Sequence, residues 1–375
     1  MILTPDGLKL AAVFLEDRIP VTFLPSTIPL IQAPMASAQG PELAIAVCKA
    51  GGLGSLPAAM LTPDRLREQI GAVRQATDAP FNVNFFTHAE PKPDPEIEAR
   101  WRKRLAPYYA EAGVDPSAIP AGPVRAPFDA ALCAVIEETR PAVVSFHFGL
   151  PSAALVARVK AAGALILSSA TTVAEARWLE QHGVDAIIAQ GREAGGHRGM
   201  FLSSDIAAQP GLISLLPQVR DAVRLPVVAA GGISDGRGIA AAFALGADAV
   251  QIGTAYLRTP ESIISPLHRA ALANARDDAT RLTNLFTGRP ARGLVNRFVA
   301  EVGPMCEDAP QFPLAAGAAA PLRAAAEKHG SSDFSPLWAG ESAALAREEG
   351  AEALTRRLWA DAQAVMVGLS GRWKE

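Results

Sequence analysis

Cysteine is scarce in this 375-residue chain. Its three residues, Cys48, Cys133 and Cys306, lie far apart and in no CxxC or Cys/His cluster. That argues against a disulfide framework and a cysteine-ligated zinc site. Charge is scarce too. Only 19% of residues are charged, and they balance to a net -3. Such a surface carries no electrostatic footprint for nucleic acid or an anionic membrane. No apolar run approaches the roughly 18 residues that a membrane helix needs. The stretch Met1–Pro20 carries Asp6, Glu16 and Asp17 and no long apolar core, so it does not read as a signal peptide. The expected location is the cytoplasm. Missing motifs narrow the chemistry further. There is no GxxxxGK[ST] loop, no GxGxxG between a strand and a helix, and no GxSxG elbow. Carboxylates are few at the candidate strand ends. This disfavours a glycosidase pair or a divalent metal cluster, and no metal is expected. Cys48 falls among Ala46, Val47 and Ala50 on a helical pattern and reads as core rather than nucleophile.

What is present is apolar and regularly punctuated: 49% hydrophobic residues, 31 Gly and 30 Pro. Strands of a parallel sheet covered on both faces appear as short apolar runs without polar alternation. Eight such runs are found: Leu30–Ala33, Gly52–Ser55, Phe81–Phe85, Ala142–Phe146, Leu165–Ser168, Ala186–Ala189, Val227–Ala230 and Ala249–Ile252. Helical patterns follow most of them, as at Pro41–Ala50, Thr62–Thr77, Val173–His182 and Asp235–Leu245. Thr62-Pro63 is a helix-start pair, and Gly183 and Gly246 are helix-stop residues. This rhythm predicts an α/β (β/α)8 TIM barrel over residues 1–86 and 128–259. A Pro-rich, charged insertion of about 40 residues, 87–127, follows the third strand and is long for a βα loop. Residues 260–375 read as a helical C-terminal second domain over the barrel mouth.

In this fold the chemistry collects at the C-terminal strand ends. The seventh and eighth ends carry Gly231-Gly232-Ile233 and Gln251-Ile252-Gly253-Thr254. Small residues there let backbone N–H groups approach a phosphate. Ala33-Pro34-Met35-Ala36 after the first strand offers a small apolar surface for a flat ring. Asn84 and Gln190 can hydrogen-bond a polyol or a ring amide. Phosphate, polyol and flat heterocycle together describe FMN. Tight turns and loop capping are the bland alternatives for these glycines and amides. After the sixth strand, Gly195, Gly196 and Gly199 surround His197. An imidazole so placed can project into a site and transfer protons near neutral pH. His147, between Phe146 and Phe148, is read as either packing or substrate contact. His88, His182, His268 and His329 lack such a setting and read as surface or structural. Glu193 reads as a solvated partner of Arg192 or Arg198.

In their order and spacing, these motifs resemble the nitronate monooxygenase family, also described as 2-nitropropane dioxygenase-like. The resemblance runs through Gln32-Ala33-Pro34-Met35, Ala50-Gly51-Gly52-Leu53-Gly54, Asn82-Val83-Asn84, Gln190 to Gly199, Ala230 to Ile233 and Gln251 to Thr254. Ser145 to Gly149, Phe286 to Arg292 and Trp338 to Glu341 are similar to the class I branch. The resemblance implies an FMN-dependent oxidoreductase that converts alkyl nitronates and O2 to carbonyl compounds and nitrite, without NAD(P)H. It implies that His197 is catalytic. It implies that Asn84, Gln190, Gly195, Gly232, Gln251, Ile252, Gly253 and Thr254 hold the flavin, beside Ala33, Pro34, Met35, Gly196 and Gly231 as read from the strand ends. Ala36 and His147 would face the substrate. The partners implied are a small nitronate and O2, with the protein a monomer or homodimer. Gln311–Ala326 departs from the pattern, being Ala-rich where some relatives carry Tyr or Lys. Two other readings share the barrel: an NAD(P)H-dependent FMN reductase with a quinone or enoyl acceptor, and a non-catalytic flavin-binding barrel.

Overall fold

A computed structural model describes residues 23–115 and 126–372. Met1–Pro20 and the 116–125 part of the insertion lie outside the described residues. In chain order the elements are β1 (Leu30–Gln32), α1 (Pro41–Lys49), β2 (Gly54–Pro57), α2 (Pro63–Ala76), β3 (Phe81–Phe86), α3 (Pro95–Ala112), α4 (Ala130–Thr139), β4 (Val143–His147), α5 (Ala153–Ala161), β5 (Leu165–Ala170), α6 (Val173–Gln181) and β6 (Ala186–Gln190). Then come β7 (Gly196–His197), α7 (Leu212–Ala222), β8 (Val227–Ala230), α8 (Gly236–Ala244), β9 (Ala249–Ile252), α9 (Thr254–Leu257), α10 (Pro266–Ala273), β10 (Thr280–Thr283), β11 (Ala291–Leu294), α11 (Arg297–Val302), α12 (Ala315–Lys328) and α13 (Ala351–Arg372).

Eight parallel strands run in the order β1-β9-β8-β6-β5-β4-β3-β2. The ring closes where Ile31 bridges Leu53. There the Leu53 N–H donates to the Leu30 carbonyl at 2.8 Å, and the Gln32 N–H to the Leu53 carbonyl at 3.0 Å. Successive side chains alternate between two cores. Leu30, Val83, Val144, Ile166, Ile187 and Val250 face the helices. Ile31, Leu53, Val143, Leu167, Ile188 and Val228 plug the barrel interior. Helix starts follow local chemistry. Thr62 caps α2 by accepting from the Arg65 N–H, and Asp235 caps α8 by accepting from Arg237 and Gly238.

Three features differ from the sequence reading. The second strand begins at Gly54, two residues beyond Gly52, because Gly51 (φ 94°) still belongs to the turn. Residues 260–375 are not purely helical. β10 and β11 pair antiparallel, and β11 adds β7 at its other edge, with Ala291 opposite His197 and Arg292 opposite Gly196. The partners lie almost a hundred residues apart and are too short for periodicity to reveal them. Finally, α13 does not cover the mouth. Leu354, Leu358 and Ala362 belong to the barrel-wall core, and the Tyr256 and Thr355 hydroxyls bond at 2.8 Å. This helix packs on α8 and α1 and fills the eighth helical place of the barrel.

The insertion and the C-terminal segment build one layer. Trp101 and Tyr109 of α3 are buried with Phe286, Phe298 and Leu322 in a separate core. The Trp101 indole N–H donates to the Ala315 carbonyl at 3.3 Å, and the Tyr109 hydroxyl to the Ala318 carbonyl at 2.8 Å. The small side chains of α12 permit this close approach to its backbone, which gives the Ala-rich stretch a packing role.

Candidate active site

The C-terminal strand ends surround a cavity of ≈ 250 Å³. Ala33, Pro34, Met35, Ala36, Asn84, His147, Gln190, Gly195, Gly196, His197, Gly231, Gly232, Gln251, Gly253 and Thr254 all line it. Ile252 does not. Pleat alternation turns Gln251 and Gly253 inward and Ile252 outward, where it is 1% exposed in the helix-facing core.

The apolar floor is held from below. Gln32 Nε2 donates to Gln39 Oε1 at 2.7 Å, and Gln39 Oε1 also accepts the Met35 N–H at 3.0 Å. At the rim, Gly231 (φ 112°) and Gly232 (φ 70°) take left-handed conformations that a side chain would strain. The segment after β11 returns to this rim. The Gly340 N–H donates to Thr254 Oγ1 at 2.9 Å, and the Ser342 hydroxyl to the Gly232 carbonyl at 2.7 Å. Gly195 belongs to the same contact. A Cβ on it would lie 2.6 Å from the Gly340 nitrogen. Gln251 Oε1 is buried with no partner among the described residues. A buried acceptor left unmade is costly, so the cavity asks for a donor there.

His197 sits on β7, pinned by β11. Its Nε2 lies 2.9 Å from Thr287 Oγ1. Gln190 braces the same loop: its Nε2 donates to the His197 carbonyl at 3.1 Å and its Oε1 accepts the Gly199 N–H at 2.8 Å. Arg198, fully buried, points away from the cavity. It donates to Gln209 Oε1 at 2.7 Å and to the Gly191 and Gln190 carbonyls at 2.6 and 2.8 Å. Glu193 is no surface partner of either arginine. Its carboxylate accepts the Leu212 N–H at 2.9 Å at the start of α7.

His147 reaches the cavity with both ring nitrogens engaged. Nε2 is 3.1 Å from the His197 carbonyl and Nδ1 is 3.0 Å from Ser169 Oγ. Burial pushes its pKa down to about 3, with Arg289 and Arg198 adding to the shift and the bond to His197 opposing it. The ring is therefore neutral near pH 7. A carbonyl only accepts, so Nε2 carries the proton and Ser169 donates to bare Nδ1. Asn84 Nδ2 donates to Ser145 Oγ at 2.9 Å, which fixes its place on the wall.

Several lining residues escaped the sequence reading. Phe86 and Trp338 form an aromatic side of the cavity, with ring centroids 6.1 and 5.5 Å from His197. His268, read as surface or structural, also lines the cavity, buried and with Nε2 unpartnered among the described residues. Burial pulls its pKa down to about 4, against a hydrogen bond to the Trp338 backbone. Trp338 and Thr287 lie in motifs the sequence singles out, but nothing local announces their contact with His197.

A parallel eightfold barrel with a cavity at its strand C-termini, lined by small, aromatic and amide side chains, defines a small-molecule barrel protein. Comparison narrows this. The chain belongs to the nitronate monooxygenase family, whose sequence model matches residues 20–361. It is 44% identical over 333 residues to a nitronate monooxygenase of Paraburkholderia phytofirmans, covering 88% of this chain and 91% of the relative. Its fold matches a nitroalkane oxidase from Streptomyces ansochromogenes with a TM-score of 0.83 and 44% identity, over 92% of this chain and 98% of that one. FabK from Thermotoga maritima is similar at a TM-score of 0.70 and 29% identity, over 92% of this chain and 96% of that one.

Proposed function

We propose that this protein is an FMN-dependent nitronate monooxygenase, converting alkyl nitronates and O2 to carbonyl compounds and nitrite without NAD(P)H. The observation that carries this reading is one cavity joining His197, the glycine turns at two adjacent strand ends and the orphaned Gln251 Oε1. These residues fit FMN. The turns at Gly231-Gly232 and Gly253-Thr254 suit its phosphate. Gln251 Oε1 suits a ribityl hydroxyl or ring N–H, and Ala33–Ala36 suits the flat ring. Bound FMN would supply the electron acceptor for the nitronate.

The chain's own residues do the rest. His197 holds the anionic nitronate beside the ring, or takes the α-proton when a neutral nitroalkane binds. Thr287 fixes the imidazole's orientation. His147, neutral and doubly bonded, holds the His197 backbone and adds no charge of its own. Phe86 and Trp338 receive a short alkyl chain and keep water from it. The three cysteines are free thiols, which suits a reducing cytoplasm.

The test is chemical. Chromophore released from the purified protein should be FMN by mass spectrometry, and His197→Asn should lose nitrite release from a nitroalkane. A colourless protein that takes up no FMN contradicts the reading. Anaerobic bleaching of the flavin by NADH, with no reaction toward a nitronate, would assign the reductase activity instead.

A further inference from the structure

The strap from Thr287 to Arg292 runs along β7, and its central side chain has no part in the reaction just described. Arg289 approaches the two histidines through Phe148, whose ring lies next to both His147 and His197. Its Cζ sits 3.9 Å from the centroid of the Phe148 ring. That ring lies 4.5 Å from the His147 ring and 4.8 Å from that of Phe86, both of which line the cavity. Phe148 reaches this place through a backbone φ of 77°. Side-chain-bearing residues seldom adopt it, and such conformations persist where the side chain is held for a purpose.

The guanidinium is poorly compensated. One nitrogen donates to the Met200 carbonyl. Nε is buried with no partner among the described residues. Glu175 is the carboxylate whose field reaches Arg289. However, its oxygens already accept the Thr171 N–H and hydroxyl and the Phe201 and Leu202 N–H groups. Burial lowers the Arg289 pKa only to about 10, so the group stays charged near pH 7. A half-buried cation stacked on a phenyl face is screened less than one in open water, and its field reaches the adjoining cavity.

We propose that Arg289 determines specificity: its charge, acting through and beside Phe148, biases the cavity toward an anionic nitronate over the neutral nitroalkane. This rests on the nitronate reading above, and the test separates the two. KM is measured for a nitronate and for its parent nitroalkane, and the Kd of nitrate, a planar oxyanion, by calorimetry. The proteins are wild type, Arg289→Met and Arg289→Lys. Arg289→Met should weaken nitronate and nitrate by about tenfold, the size of one partly screened charge interaction. The nitroalkane KM should move less than about twofold, and Arg289→Lys, which keeps the charge, should recover most of the anion affinity. Should Arg289→Met not fold, Arg289→Gln keeps a donor for Met200 and serves as the neutral variant. Equal weakening of anion and neutral ligand overturns the proposal, as does nitrate binding that is absent or indifferent to position 289. Arg289-dependent nitrate binding in a wild type that releases no nitrite would uphold the anion site and remove the nitronate reading.

Discussion

Replacing Thr287 by valine removes one hydroxyl and almost no volume. That hydroxyl lies 2.9 Å from His197 Nε2, on a residue 4% exposed. The backbone around His197 is held independently, by the β7–β11 pairing and by Gln190. The substitution therefore loosens the imidazole without releasing its strand. Losing a buried hydrogen bond and leaving its partner unmade costs about 1–3 kcal/mol. If about 1.5 kcal/mol of that appears in the transition state for proton removal, kcat/KM for a neutral nitroalkane falls roughly tenfold. A preformed nitronate needs no proton removed, so its kcat/KM should fall less, by about threefold or below. Nitrite release with the two substrates measures both, and Thr287→Ser should restore the difference. Equal losses on both substrates, or none on the nitroalkane, would refute the idea that Thr287 positions His197 for proton transfer.

Stability should depend on pH through His147. Its folded pKa of about 3 lies below the ordinary 6.5. As pH falls from about 6.5 toward 3, the unfolded chain binds a proton that the folded chain refuses. Stability is then lost at up to about 1.4 kcal/mol per pH unit. Urea midpoints near pH 7 and pH 5 should therefore fall more in the wild type than in His147→Gln, and equal falls would show that His147 is not held neutral. Gly195→Ala places a methyl group 2.6 Å from the Gly340 nitrogen. It should cost about 1–3 kcal/mol in denaturant unfolding, and unchanged stability would mean that the strap at Ala339–Gly340 yields freely.

The barrel was readable because all-buried parallel strands leave apolar runs, and because function gathers at their C-terminal ends. That His197 and the glycines line the cavity is legible from their strand-end positions and from the glycines that flank the histidine. The Ile252 side chain faces the helices instead of the cavity because a strand end taken as a block ignores its pleat. Glu193 reads as a solvated partner of Arg192 or Arg198, yet it is spent on the helix that follows, and Arg198 on two carbonyls of its own loop and the Gln209 side chain. The role of α13 was hidden for another reason. An alanine- and leucine-rich helix states which face is apolar, not which surface it will cover. Trp338 and His268 reach the cavity, and Thr287 reaches His197, only through contacts across long sequence separations. The Ala-rich helix gained its meaning from Trp101 and Tyr109, two aromatic residues in an insertion some two hundred positions earlier.

Nitronate oxidation by O2 without nicotinamide is the reaction on which every role assigned to the cavity rests. The direct measurement is simultaneous oxygen uptake and nitrite release by the FMN-loaded protein given a nitronate alone. Uptake of O2 with nitrite appearing together, unchanged on adding NADH, is the expected result. No nitrite with the nitronate, or oxygen uptake that begins only when NADH is added, would contradict it.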